Sequence, residues 1–109
     1  MHELTHDRCV PCEGGIPPYT EAQIAELAPQ VPAWTVVDNH HLVREWKFKD
    51  FAGALTAVNV IGAIAEAEGH HPDIAFGWGY LNVTTLTHAV KGLSRNDFIL
   101  AAKIDKALA

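Results

Sequence analysis

The pattern of apolar and polar positions divides the chain into an irregular leader followed by seven elements. Residues 1–19 carry Pro11, Gly14, Gly15, Pro17 and Pro18 and predict no repeating scaffold. Thr20 and Gln23 then make a capping box, and Ile24, Leu27 and Ala28 share a face until Pro29 and Pro32 stop the helix. β-forming residues run from Trp34 to Asp38, Asp38-Asn39-His40 supplies a turn, and His41 to Lys49 alternates. Leu42, Trp46 and Phe48 fall on one side and Val43, Glu45, Lys47 and Lys49 on the other, with Arg44 the exception. Asp50 caps a helix predicted to reach about Glu68, with Phe51, Leu55, Val58, Ile61 or Gly62, and Ala65 at helical spacing. Its small residues, Gly53, Ala54, Ala57, Gly62 and Ala63, let another element approach closely, so it reads as an interior helix or one shared in an oligomer contact. Beyond Pro72, Ile74, Phe76 and Trp78 alternate, and Gly77 and Gly79 bracket a reversal. Leu81, Val83, Thr85 and Thr87 alternate again, with His88 closing that strand on the opposite face. Ser94 and Asp97 resemble a second capping box, and Leu100, Ile104 and Leu108 form the seam of a last helix.

This order, α-β-β-α-β-β-α, predicts an α+β fold: a four-stranded antiparallel sheet with three helices packed on one face. With 109 residues the chain suits one domain, expected over residues 20–109, with residues 1–19 as an irregular N-terminal arm. Edge strands in so small a sheet invite pairing with another subunit, so a homodimer or homotetramer is expected.

Composition narrows the partners. A formal charge of -5 argues against nucleic acid or an anionic membrane surface. No charged n-region precedes an apolar stretch at the N-terminus, and the uncharged run from Phe51 to Ala65 is too short to span a bilayer, so a cytoplasmic protein is expected. Cys9 and Cys12 form a C-x-x-C near His2 and His6. Lacking a second such half or a strand-to-helix setting, they predict a loosely packed arm with reduced thiols rather than a zinc or redox site.

The chemistry concentrates where the long helix ends, at Glu66-Ala67-Glu68-Gly69-His70-His71-Pro72. Gly69 suits the left-handed residue after a helix, and Pro72 drives His71 towards extended geometry, so both imidazoles sit on a fixed turn. Histidine titrates nearest neutrality, and His88 adds a third imidazole from the second hairpin. A metal could use His, His and carboxylate, but adjacent histidines usually diverge and no H-x-x-x-H pattern is present. The residues favour a metal-free site in which one histidine donates a proton and another orients the substrate. No G-x-S-x-G, P-loop or G-x-G-x-x-G occurs, and Trp78 and Trp46 are the aromatic surfaces that could stack on a flat ring.

Glu66-x-x-x-His70-His71-Pro72, followed at intact spacing by Trp78, His88 and Asp97, resembles the signature of the pterin-4a-carbinolamine dehydratases. The resemblance runs from about Thr20 to the C-terminus and includes the order of elements. It implies a hydro-lyase that converts 4a-hydroxytetrahydropterin to quinonoid dihydropterin, without cofactor or metal, in the recycling of tetrahydrobiopterin for aromatic amino acid hydroxylases. A hydroxylase is thereby implied as a partner. By resemblance His70 and His88 look like proton donors for the two faces of the ring and His71 like a catalytic residue that binds substrate. Glu66, Pro72, Trp78, Arg95 and Asp97 look like binding or orienting residues. In the family an arginine commonly precedes the aspartate matching Asp97; here Asn96 stands there and Arg95 lies one residue earlier. Relatives of the family also look like dimerisation cofactors or enzyme-assembly factors, so a binding protein on the same fold is the alternative class.

Overall fold

A computed structural model describes residues 3–10 and 16–109. It shows the expected α+β order: α1 (Glu21–Leu27), β1 (Thr35–Val37), β2 (His41–Lys47), α2 (Phe51–Glu68), β3 (Asp73–Gly77), β4 (Tyr80–Thr85) and α3 (Arg95–Ala107). The four strands form one antiparallel sheet in the order β1-β2-β4-β3, which makes β1 and β3 its edges.

Local chemistry sets each boundary. The Thr20 hydroxyl accepts from Gln23 N–H while the Gln23 side chain accepts from Thr20 N–H, and Ile24 and Leu27 are the buried residues of α1. Between β1 and β2, Asp38 and Asn39 both take positive φ (54° and 52°) and His40 N–H donates to Val37 O, the two-residue turn that matches strand twist. Asp50 caps α2 by accepting from Gly53 N–H at 2.8 Å. At its other end Gly69 adopts the left-handed conformation (φ 65°), and both Gly69 and His70 N–H groups donate to Ala65 O.

Register places the apolar sets on one sheet face. Leu42 lies opposite Thr85, Arg44 opposite Val83 and Trp46 opposite Leu81, while Ile74 and Phe76 of β3 face Val83 and Leu81 from the other side. Against this face pack Ala57 and Ile61 of α2, and Phe98, Ile99, Leu100 and Ile104 of α3 complete the core. Arg44, the charged residue in that row, is matched by its surroundings. It lies 4.4 Å from the Trp46 ring centre and pairs with Asp105, which also accepts from Trp34 Nε1 at 2.8 Å.

Three expectations differ from the structure. On α2 the inward stripe is Ala54, Ala57, Ile61 and Ala65, whereas Phe51 and Leu55 are 44% and 39% exposed. Both stripes are apolar, so helical spacing alone does not tell them apart. By length and composition alone α2 could also cross a membrane, yet in the fold one side of it lies on the sheet and α3. Second, strand β4 ends at Thr85, and His88 begins a short 3₁₀ turn (His88–Val90) that Lys91 closes at φ 56°. Third, the described part of the leader is docked rather than loose. Leu4 is 1% exposed within the core, and Cys9 N–H donates to Glu68 Oε1 at 2.8 Å. Burial, reinforced by the neighbouring Glu68 charge, pushes the Cys9 thiol up to about 12, so it is held as a thiol. Its C-x-x-C companion Cys12, and His2, lie outside the described residues.

Candidate functional site

Asp97 stands at the first turn of α3 and is fully buried, with four donors around its carboxylate. His70 Nε2 lies 2.7 Å from Oδ1 and the Thr85 hydroxyl 2.6 Å from the same oxygen. Oδ2 takes the Thr87 hydroxyl at 2.7 Å and Ser94 N–H at 3.0 Å, the latter being half of the α3 capping box. A buried carboxylate without partners would be costly; here each of its roughly four lone-pair sites is used. The sequence assigns Asp97 to binding or orienting; the structure shows it buried and in contact with His70.

His70 is itself nearly buried, its side chain 11% exposed. Nε2 faces Asp97, and Nδ1 has no hydrogen bond among the described residues. Among the described residues no buried side-chain polar atom lacks a partner, so Nδ1 lies at the accessible edge of the ring. The turn after α2 therefore holds an imidazole with one nitrogen anchored and the other open, an arrangement suited to proton transfer.

The remaining site residues are more open. His71 Nε2 lies 2.6 Å from Glu66 Oε2, with both side chains exposed and the pair screened by solvent. Glu66 thus serves His71, not the His70 one turn away. Pro72 follows, half-buried, and leads into β3. His88 is exposed on its turn and shares no hydrogen bond with His70 or His71 among the described residues; the preceding residue, Thr87, binds Asp97 and so connects its turn to His70. Trp78 stands 73% exposed at the tip of the β3–β4 hairpin. Among the described residues no three His, Cys, Asp or Glu side chains converge closely enough to hold a metal ion.

Arg95 and Asn96 are engaged with the leader. Arg95 Nη2 donates to Asp7 Oδ2 at 2.8 Å, and its hydrogen bond to Asp7 holds the guanidinium pKa above its ordinary value. It also lines a shallow pocket with Tyr19, Gln23, Glu26 and Leu27, on the leader side of α3. Asn96, buried, receives Val10 N–H on Oδ1 at 3.0 Å and donates Nδ2–H to Val10 O. Sequence reasoning missed Thr85, Thr87 and Ser94 as members of the site, since the two threonines continue the alternation of a strand; the Ser94-Asp97 spacing was the one available signal.

With this geometry in place, comparison with known proteins is decisive for the family. Residues 17–107 match the family model described as pterin 4 alpha carbinolamine dehydratase. A protein of Rubrobacter xylanophilus, provisionally named pterin-4-alpha-carbinolamine dehydratase, is 49% identical over 106 residues, covering 97% of this chain and 99% of its own. One from Alkaliphilus metalliredigens, named in the same provisional way, is 47% identical over 107 residues, covering 97% and 96%. The chain belongs to the pterin 4 alpha carbinolamine dehydratase family. Among solved structures it is similar to a transcriptional coactivator/pterin dehydratase from Brucella melitensis, with TM-score 0.78 and 28% identity over 84% of this chain and 99% of that one. A pterin dehydratase-like protein identified as a RuBisCO assembly factor in the alpha-carboxysome shares the fold, at TM-score 0.57 and 24% identity over 68% and 87%.

Proposed function

We propose that the chain is a hydro-lyase that dehydrates 4a-hydroxytetrahydropterins to quinonoid dihydropterins. The observation that carries this reading is the His70–Asp97 pair at 2.7 Å with the second ring nitrogen of His70 open. In the substrate one carbon bears both a hydroxyl and a ring nitrogen. A protonated His70 gives its proton to the hydroxyl oxygen, the carbon–oxygen bond breaks, and water leaves as the nitrogen lone pair forms the carbon–nitrogen double bond. The cation so formed releases one proton, which restores the starting protonation state. Neither an oxidant nor a Lewis acid is needed for this balance.

In this reading Asp97 holds and electrostatically supports the imidazolium, His88 serves the opposite ring face, and His71 with Glu66 contacts the substrate at the mouth of the site. Pro72 fixes the turn and Trp78 offers a ring surface, while Arg95 acts from the Tyr19 side of α3. We also place the protein in the cytoplasm, recycling the pterin of an aromatic amino acid hydroxylase, as a homo-oligomer in which a second copy covers the exposed Phe51–Leu55 stripe or pairs with an edge strand. That same stripe favours the second reading, a binding protein on this fold, because it is apolar and open. Turnover decides between them. Added to 4a-hydroxytetrahydropterin generated by a hydroxylase, the chelator-treated protein is expected to speed dehydration in proportion to its concentration; folded protein that leaves the spontaneous rate unchanged would leave only the binding role.

A further inference from the structure

The hydroxyls around Asp97 outnumber what a buried carboxylate needs for orientation by its own helix. Ser94 N–H already supplies the capping bond from within the helix start, on Oδ2. Thr87 adds a second bond to the same oxygen, and Thr85 shares Oδ1 with His70. Both threonines are buried. Their geometry is set by β4 and its continuation: Thr85 lies on the inward face with Leu81 and Val83, and Thr87 is fixed by a bridge to Gly92. The Thr87 proton is committed to Asp97, so the 2.7 Å contact between Thr87 and Ser94 hydroxyls has Ser94 as donor. The chain of bonds then runs one way, from Ser94 to Thr87 to Asp97.

A carboxylate so filled has one site left for His70 and accepts there only an N–H. The neutral imidazole must then carry its proton on Nε2, because the other tautomer would set a nitrogen lone pair 2.7 Å from a carboxylate oxygen. Thr85 Oγ1 also lies 3.5 Å from Nε2. We propose that Thr85 and Thr87 are positioning residues: by holding the Asp97 carboxylate with Oδ1 against Nε2 they fix the His70 tautomer and make Nδ1 the atom through which the proton is transferred. The tautomer follows from the contacts alone, whereas its catalytic use rests on the reading under Proposed function.

The two parts separate in one set of measurements. Nitrogen-15 NMR of the imidazoles, with the His70 signals identified by their loss in His70→Gln, reports the tautomer of the neutral ring directly. Wild-type protein is expected to hold the proton on Nε2, and a wild-type ring protonated on Nδ1 overturns the proposal without any variant. Thr85→Val and Thr87→Val keep shape but remove a donor that holds the carboxylate in place, so each should let it turn away from Nε2 and the second tautomer appear. Each should also lower kcat about tenfold, a part of the 10²–10⁴ that a general acid typically contributes, with KM within about twofold. Thr85→Ser should restore both readouts, and Thr84→Val, on the outward face of β4, should change neither. Folded valine variants with the wild-type tautomer defeat the positioning role. A shifted tautomer in a protein whose wild type has no dehydratase activity supports the positioning role while removing the proposed function.

Discussion

Asn96 and Val10 pair through both ends of the asparagine amide, joining the leader to the first turn of α3 one residue before Asp97. Cys9 N–H grips Glu68 on the same stretch, two residues before His70. The leader thus crosses the ends of both helices that deliver the His70–Asp97 pair, and Leu4 anchors it in the core. Leu4→Ala should cost about 2–5 kcal/mol, and Asn96→Ala about 1–3 kcal/mol for the two hydrogen bonds to Val10 that it removes. Urea denaturation checks both; a Leu4→Ala midpoint equal to wild type contradicts docking of the leader.

Glu68 makes stability sensitive to acid. Burial by itself would raise its pKa, but hydrogen bonds from Lys103 and Cys9 N–H, with the charges of Lys103 and Arg8, outweigh it and hold the carboxyl below its ordinary value. A depressed carboxylate stabilises the fold above the unfolded-state pKa, and that contribution is lost as pH falls from the ordinary glutamate range through the lower folded value. Wild-type stability should therefore drop between about pH 5 and pH 3, and Glu68→Gln should be weaker at neutral pH but flatter over this interval. Parallel curves for the two proteins, measured as denaturation midpoints, contradict the assignment.

The two apolar stripes of α2 predict opposite responses. Ile61 is fully buried and Leu55 is not, so Ile61→Ala should cost about 2–5 kcal/mol and Leu55→Ala well under half of that in the isolated chain. If a second copy covers Leu55, as proposed above, Leu55→Asp should lower the sedimentation coefficient to that of a monomer while leaving its circular dichroism intact. An unchanged assembly removes α2 from the proposed contact.

These stripes also show where the sequence stops being informative. The ends of α2 were legible because Asp50 and Gly69 act through local backbone chemistry, and the Asp38-Asn39 turn and both capping boxes were legible for the same reason. Which side of α2 faces inward depends on what the sheet presents to it, and a helix apolar on both sides does not record that. The docking of the leader turns on Leu4, a single apolar residue among polar ones, too little for a periodic signal. At the site, the family motif identified His70 and Asp97, but their direct contact joins the end of one helix to the start of another. Thr85 and Thr87 were hidden because their inward-facing hydroxyls occupy positions where alternation predicts burial of a methyl group.

In the proposed mechanism His70, anchored by Asp97, gives the proton that expels the hydroxyl group. Single-turnover dehydration of each 4a-hydroxy stereoisomer, compared for wild type, His70→Ala, His88→Ala and His71→Ala, tests it most directly. His70→Ala should lower kcat by about 10²–10⁴, with the larger loss for one stereoisomer; His88→Ala should show the reverse preference, and His71→Ala should mainly raise KM. A folded His70→Ala protein with wild-type kcat/KM on both stereoisomers would contradict the account.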